Sequence, residues 1–118
     1  MTFQYEKLNV TAQIENFIDY VYLVTDIFPQ DELYGLRSQI RRAAISILLN
    51  LAEGSARRSH ADFARFITIS MASLVEVHAA IKIASRRDYL KEKDLEKLQA
   101  EAEMIWMRLA ALRKTQIN

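Results

Sequence analysis

The chain has 118 residues with only two Gly, one Pro and no Cys, an apolar fraction of 51% and a formal net charge of +1. That length suits one hydrophobic core and is short for two. So little turn chemistry excludes a many-stranded protein, and the missing thiols exclude disulfides, thiolate metal sites and cysteine nucleophiles. The expected class is all-α, in a single domain over 1–118. A reducing, cytoplasmic setting suits such a chain. Its first residues, MTFQYEKLNV, lack the charged start and apolar run of a signal peptide. Charged residues interrupt every later segment before about 18 apolar residues accumulate, so no membrane span is expected.

Charge is spread unevenly. Residues 1–32 carry six acids and one base, residues 33–87 three acids and nine bases, and residues 88–118 balance. Two readings stand: a basic middle that meets nucleic acid, or an acidic first helix that lies beside it in the same bundle or a neighbouring subunit.

In chain order, Phe3, Tyr5 and Leu8 offer anchors for an extended arm. Val10, Ile14, Phe17, Val21, Val24 and Phe28 then step by three and four, the mark of one helical stripe, and predict a first helix over 10–28. Pro29 stops it and is welcome in the first turn of a second helix over 30–54, where Asp31 and Glu32 complement the helix dipole. The seam of that helix is Leu36, Ile40, Ala43, Ile47, Asn50 and Gly54. Ile45, Leu48 and Leu49 make it apolar on further sides, which predicts that they face another subunit. Gly54 is read as a left-handed stop, and Ser59 with Asp62 as a capping box for a third helix over 59–87. Phe63, Phe66, Ser70, Leu74, Val77, Ile81 and Ala84 form its stripe. A fourth helix over 91–114 carries Leu95, Leu98, Ala102, Ile105, Leu109 and Leu112. Short links between them predict an antiparallel up-down-up-down four-helix bundle.

Catalytic patterns are missing. A di-iron bundle needs Glu-x-x-His pairs, but Arg57 precedes His60 by three and Val75 precedes His78 by three. Gly35 and Gly54 stand alone, which excludes a phosphate-cradling loop, and no Ser sits in a nucleophile elbow. The expectation is a non-enzymatic chain with no cofactor and no metal. What remains polar is the stretch from Gln39 to Arg58. Asn50 is expected to bond across the core toward Ser70 or Ser73 and fix register. Arg41 and Arg42 are expected to pair internally with Glu53 and Glu76. Arg57, Arg58, Arg65 and Arg37 are the candidates for contact with nucleic acid or a partner. They cannot share one flat patch with Arg41 and Arg42, because Arg42 lies about 100° around the helix from Arg41.

Phe28-Pro29 with Glu32, Tyr34-Gly35-Leu36, the run Ser38 to Ala44, Ser46-Ile47, Asn50 with Ala52-Glu53-Gly54, Arg58-Ser59, Phe63, Arg65-Phe66, Ser73-Leu74, Glu76 and Tyr89-Leu90 form one pattern. By it the chain resembles the four-helix bundle proteins encoded by intervening sequences in large-subunit ribosomal RNA genes, over most of its length. It departs from them at Leu48-Leu49, where Pro-Ser is usual, and at Ala72, where Gly is usual. The resemblance implies a ring-like homopentamer with no established activity. It is related to the accessory variability determinant proteins of diversity-generating retroelements, which bind nucleic acid and a reverse transcriptase. The partners expected are therefore the chain itself and RNA, DNA or a nucleic-acid-handling protein. The rival is a purely structural protein–protein interaction module whose arginines are paired internally.

Overall fold

The computed structural model describes residues 1–117. Four helices follow one another: α1 (Asn9–Thr25), α2 (Leu36–Ser55), α3 (His60–Arg86) and α4 (Glu92–Gln116). Each packs on its chain neighbour and α1 closes against α4, which makes an antiparallel up-down-up-down bundle of 43 × 23 × 22 Å. The apolar stripes form its axis. Every member of the first stripe from Val10 to Phe28 is buried, as are Ile40, Ala43, Ile47, Leu74, Val77, Ile81, Leu98, Ile105 and Leu109. α3 is long and apolar enough by composition to cross a bilayer, with a mean hydropathy of 1.5 over its richest window. Half of that window lies inside the bundle, so its apolarity is accounted for by a central position between α2 and α4.

The N-terminal arm is a tight turn rather than an extended strap. Gln4–Lys7 forms a 3₁₀ helix, Phe3 is exposed, and only Leu8 reaches the core. The Thr11 hydroxyl donates to the Tyr5 carbonyl at 2.6 Å and ties this turn to α1.

The link between α1 and α2 is longer than proline placement predicts. α1 ends at Thr25, whose hydroxyl donates back to the Val21 carbonyl at 2.7 Å. Pro29 precedes a separate 3₁₀ turn, Gln30–Glu32, and α2 begins only at Leu36. Glu32 explains the delay. Its carboxylate accepts from the Leu36 N–H at 3.0 Å and from the Tyr89 hydroxyl at 3.1 Å, so the cap of α2 comes from upstream and is braced by the α3–α4 link. Tyr89 also packs its ring on Phe28, with centroids 5.4 Å apart.

These bonds hold the Glu32 carboxyl below its usual range, the Leu36 N–H contributing most and the Tyr89 hydroxyl next. A lowered folded pKa gives stability that is present above the unfolded value of about 4.5 and is lost as pH falls through the folded value. Glu32→Gln is therefore expected to lower the Tm at neutral pH and to lose that deficit as the pH is taken down toward 3. Thermal melts across that range check it; a deficit independent of pH excludes the carboxylate as the cause.

α2 does not stop at a left-handed glycine. Gly54 has no positive φ and lies buried inside the helix, which continues to Ser55. The stop after α3 is the left-handed one. Asp88 has φ 61° and the Tyr89 N–H reaches the Ala84 carbonyl at 2.9 Å, the six-residue return bond of a Schellman ending. Ser59 caps α3 by accepting from the Asp62 N–H at 3.0 Å, while the Asp62 carboxylate turns outward to Arg65.

Candidate nucleic-acid interface

Two groups of arginines stand at opposite ends of α2, and Arg42 and Arg57, the nearest members, are roughly 22 Å apart along its axis. Arg57, Arg58 and Arg65 belong to the α2–α3 end. There the backbone turns between two helix termini, so side chains of the link and of the second turn of α3 emerge together. Arg57 pairs with Glu53 at 2.8 Å and Arg65 with Asp62 at 3.0 Å, both on the solvent side. Their guanidinium groups lie over the same Phe66 ring, at 4.7 and 4.6 Å from its centroid. Phe66 is itself buried, so the two cations rest on a fixed platform. Arg58 is exposed and, among the described residues, makes no ion pair. Arg57, Arg58, Ser59 and His60 line a shallow depression of about 310 Å³ that reaches across to Leu8 and Gln116. The His60 ring bonds Gln116 at 2.8 Å across its mouth.

Arg37, Arg41 and Arg42 occupy the other end. Arg41 is half-buried and engaged: its Nε donates to the Thr25 hydroxyl at 2.8 Å and its Nη2 to the Tyr22 carbonyl at 3.1 Å, with the guanidinium 4.4 Å over the Tyr22 ring. Asp26 lies 3.3 Å from Arg37 and 3.7 Å from Arg41. Internal pairing of Arg41 with Glu53 or Glu76 is thus corrected: the carboxylate is Asp26, delivered by the end of α1. Arg42 is not internally paired at all; it is exposed and donates to Ser38 at 2.9 Å. Glu76 instead accepts from Gln39, and Glu53 serves Arg57.

Asn50 reaches Ser73 only indirectly. Its amide donates to the Ser46 carbonyl and hydroxyl, each at 2.9 Å, and Ser46 meets the Ser73 hydroxyl at 2.9 Å, so the cross-helix bond belongs to Ser46. Ser70 bonds the Ile47 carbonyl at 2.8 Å in the buried seam. Ser46 has the signal that would have found it, a small hydroxyl one helical turn before Asn50. Of the apolar trio expected at a subunit interface, Leu49 is 61% exposed, Ile45 is half-buried, and Leu48 packs in part on the core. Further exposed apolar side chains lie along α3 at Ile69, Val75 and Ile83 and on α4 at Met104, Trp106 and Met107.

One further polar contact joins α1 to α4. The Tyr20 hydroxyl donates to Asp94, which pushes its pKa up to about 12, with burial adding to the effect, while Lys97 sits 4.2 Å over the Tyr20 ring. Among the described residues no three His, Cys, Asp or Glu side chains converge to hold a metal ion.

An antiparallel four-helix bundle with arginines at both ends of its second helix is the class that these features define. The chain belongs to the 23S rRNA-intervening sequence protein family, whose model matches residues 6–111. Among solved structures it is similar to a protein of unknown function from the S23 ribosomal protein family of Bacteroides thetaiotaomicron. That likeness has a TM-score of 0.80 at 22% identity, and covers 89% of this chain and 98% of the other. No curated protein matches the chain.

Proposed function

We propose that this protein is a non-enzymatic, cytoplasmic, homo-oligomeric helical module, pentameric as the family resemblance implies, that binds nucleic acid or a nucleic-acid-handling protein through its α2–α3 end. The observation that carries the reading is the grouping of Arg57, Arg58 and Arg65 around one exposed turn, two of them braced on Phe66. Their ion pairs with Glu53 and Asp62 are solvent-facing and worth little, so a phosphate can replace the carboxylates at small cost. Support for self-association comes from the exposure of Leu49 beside Ile45, and a ring of subunits multiplies a weak contact by avidity. A second reading, a structural interaction module with paired arginines, draws on the engagement of Arg37 and Arg41 with Asp26.

Electrophoretic mobility shift with structured RNA and with duplex DNA tests the proposal. Three phosphate contacts from one subunit predict an affinity loss of about twentyfold to fortyfold between roughly 50 and 200 mM salt. Joint charge reversal, Arg57→Glu with Arg58→Glu, is expected to lower the remaining affinity further while the melt stays cooperative. No shift with either nucleic acid at low salt ends the direct-binding version and leaves a protein partner. Light scattering that returns a 13.7 kDa particle at micromolar concentration ends the oligomer.

A further inference from the structure

The opposite end of α2 holds a second cluster of positive charge. Arg37, Ser38, Arg41, Arg42, Tyr22 and Ile45 line a cavity of about 280 Å³ between the end of α1 and the start of α2. Three arginines line it and one carboxylate, Asp26, pairs with two of them, so the pocket keeps an excess charge of two. Its donors are under-used. The three arginines make four side-chain hydrogen bonds between them, to Asp26, Thr25, the Tyr22 carbonyl and Ser38.

Most telling is Arg37. Its side chain is 20% exposed, yet its Nε–H is shut off from solvent and has no acceptor. A buried guanidinium donor without a partner is costly and uncommon, and it leaves Arg37 short of acceptors from the chain. We propose that this cavity is a phosphoryl-binding pocket, in which Arg37, Arg41, Arg42 and the Ser38 hydroxyl hold a tetrahedral, doubly charged oxyanion over the Tyr22 side.

The chemistry of the donors selects that class. A planar carboxylate is satisfied by one forked guanidinium, whereas Arg37 and Arg41 on one face of α2, with Ser38 and Arg42 about 100° further round, match several oxygens pointing in different directions. Two excess positive charges match a phosphate monoester or hydrogen phosphate. Arg41 is already oriented by Thr25, Tyr22 and Asp26, so it offers a preformed wall rather than a floppy side chain. This pocket is independent of the Arg57, Arg58 and Arg65 group, which stands at the other end of the same helix, and it does not rest on the function proposed for that group.

Titration of the ¹⁵N-labelled protein with inorganic phosphate, followed through the arginine Nε–H resonances, is the test. A saturable shift of the Arg37 Nε–H, against a sodium chloride control of equal ionic strength, is expected. Arg37→Gln is expected to weaken phosphate binding at least tenfold. Arg42→Gln, at an exposed position whose loss cannot unfold the bundle, is expected to weaken it severalfold; Arg58→Gln is expected to leave it unchanged. Adenosine monophosphate and a short RNA then separate the sources. If both displace phosphate from the same resonance, the natural phosphoryl group is carried by a nucleotide; if neither does, it is the free anion. Either result supports the pocket. A shift no larger than that given by chloride overturns it. So does acetate binding as tightly as phosphate, or an equal loss in Arg42→Gln and Arg58→Gln.

Discussion

Replacing Phe17 with Ala is expected to destabilise the bundle by about 3–5 kcal/mol, the cost of removing a large aromatic from a core that cannot collapse around the gap. Phe17 sits midway along α1, has no solvent exposure and is among the largest fully buried side chains. Glu15, Asn16 and Asp19 flank Phe17 on the exposed side of α1, so rotating the helix to refill the space would carry polar and charged groups toward the core. For a domain of this size the loss corresponds to a fall in Tm of about 12–20 °C, measured at fixed protein concentration because self-association adds to the apparent stability. Leu23→Ala, at a largely exposed position six residues further along the same helix, is expected to change stability by no more than about 0.5 kcal/mol. Equal effects from the two substitutions would show that α1 is not held by the stripe it presents.

The contrast between these two residues marks what the local sequence pattern specifies. Phe17 belongs to a stripe with steps of three and four, and a straight helix turns any such stripe onto one face, whatever it packs against. Burial of Val10, Ile14, Phe17, Val21 and Val24 follows from local geometry alone. So does the bundle, because short links between four amphipathic helices leave few other arrangements. The polar residues were harder to place because their partners come from elsewhere in the chain. Arg41 is expected to meet Glu53 or Glu76, but the carboxylate that reaches it is Asp26, brought beside α2 by the packing of the end of α1. The late start of α2 had the same origin: Glu32 is locked by Tyr89, a residue 57 positions away, and no local propensity encodes that bond. The exposed basic turn at Arg57 and Arg58 was legible as loop chemistry between two helices. The sharing of Phe66 by Arg57 and Arg65 was not, since it depends on how closely α2 approaches α3.

That approach is governed by Gly54, and Gly54→Leu is expected to cost about 3 kcal/mol or more, the upper part of the range for overpacking. A Cβ built on Gly54 would stand 2.5 Å from the Phe66 Cβ and 3.1 Å from the Phe63 ring. The first of these atoms is anchored directly to the α3 backbone, so no rotamer change moves it away and the helices themselves must separate. Helix propensity argues the other way, because Ala in place of a helical Gly gains up to about 1 kcal/mol in an interior and less at Gly54, one residue from the end of α2. Steric cost is expected to win: Gly54→Ala should still destabilise, by about 1 kcal/mol. The order of substitutions separates this account from that of a left-handed stop. Asn tolerates a left-handed backbone better than Ala does, so a stop position would accept Asn and resist Ala. A close-contact position ranks them by bulk, with Ala better than Asn and Asn better than Leu. Denaturant melts of the three variants give the ranking directly. Spreading α2 from α3 also lifts Arg57 off the Phe66 ring, which stays with Arg65 on α3, so the Ala variant is expected to bind nucleic acid more weakly at a temperature where it is still folded. An Ala variant as stable as the native chain, with unchanged affinity, would remove Gly54 from both roles.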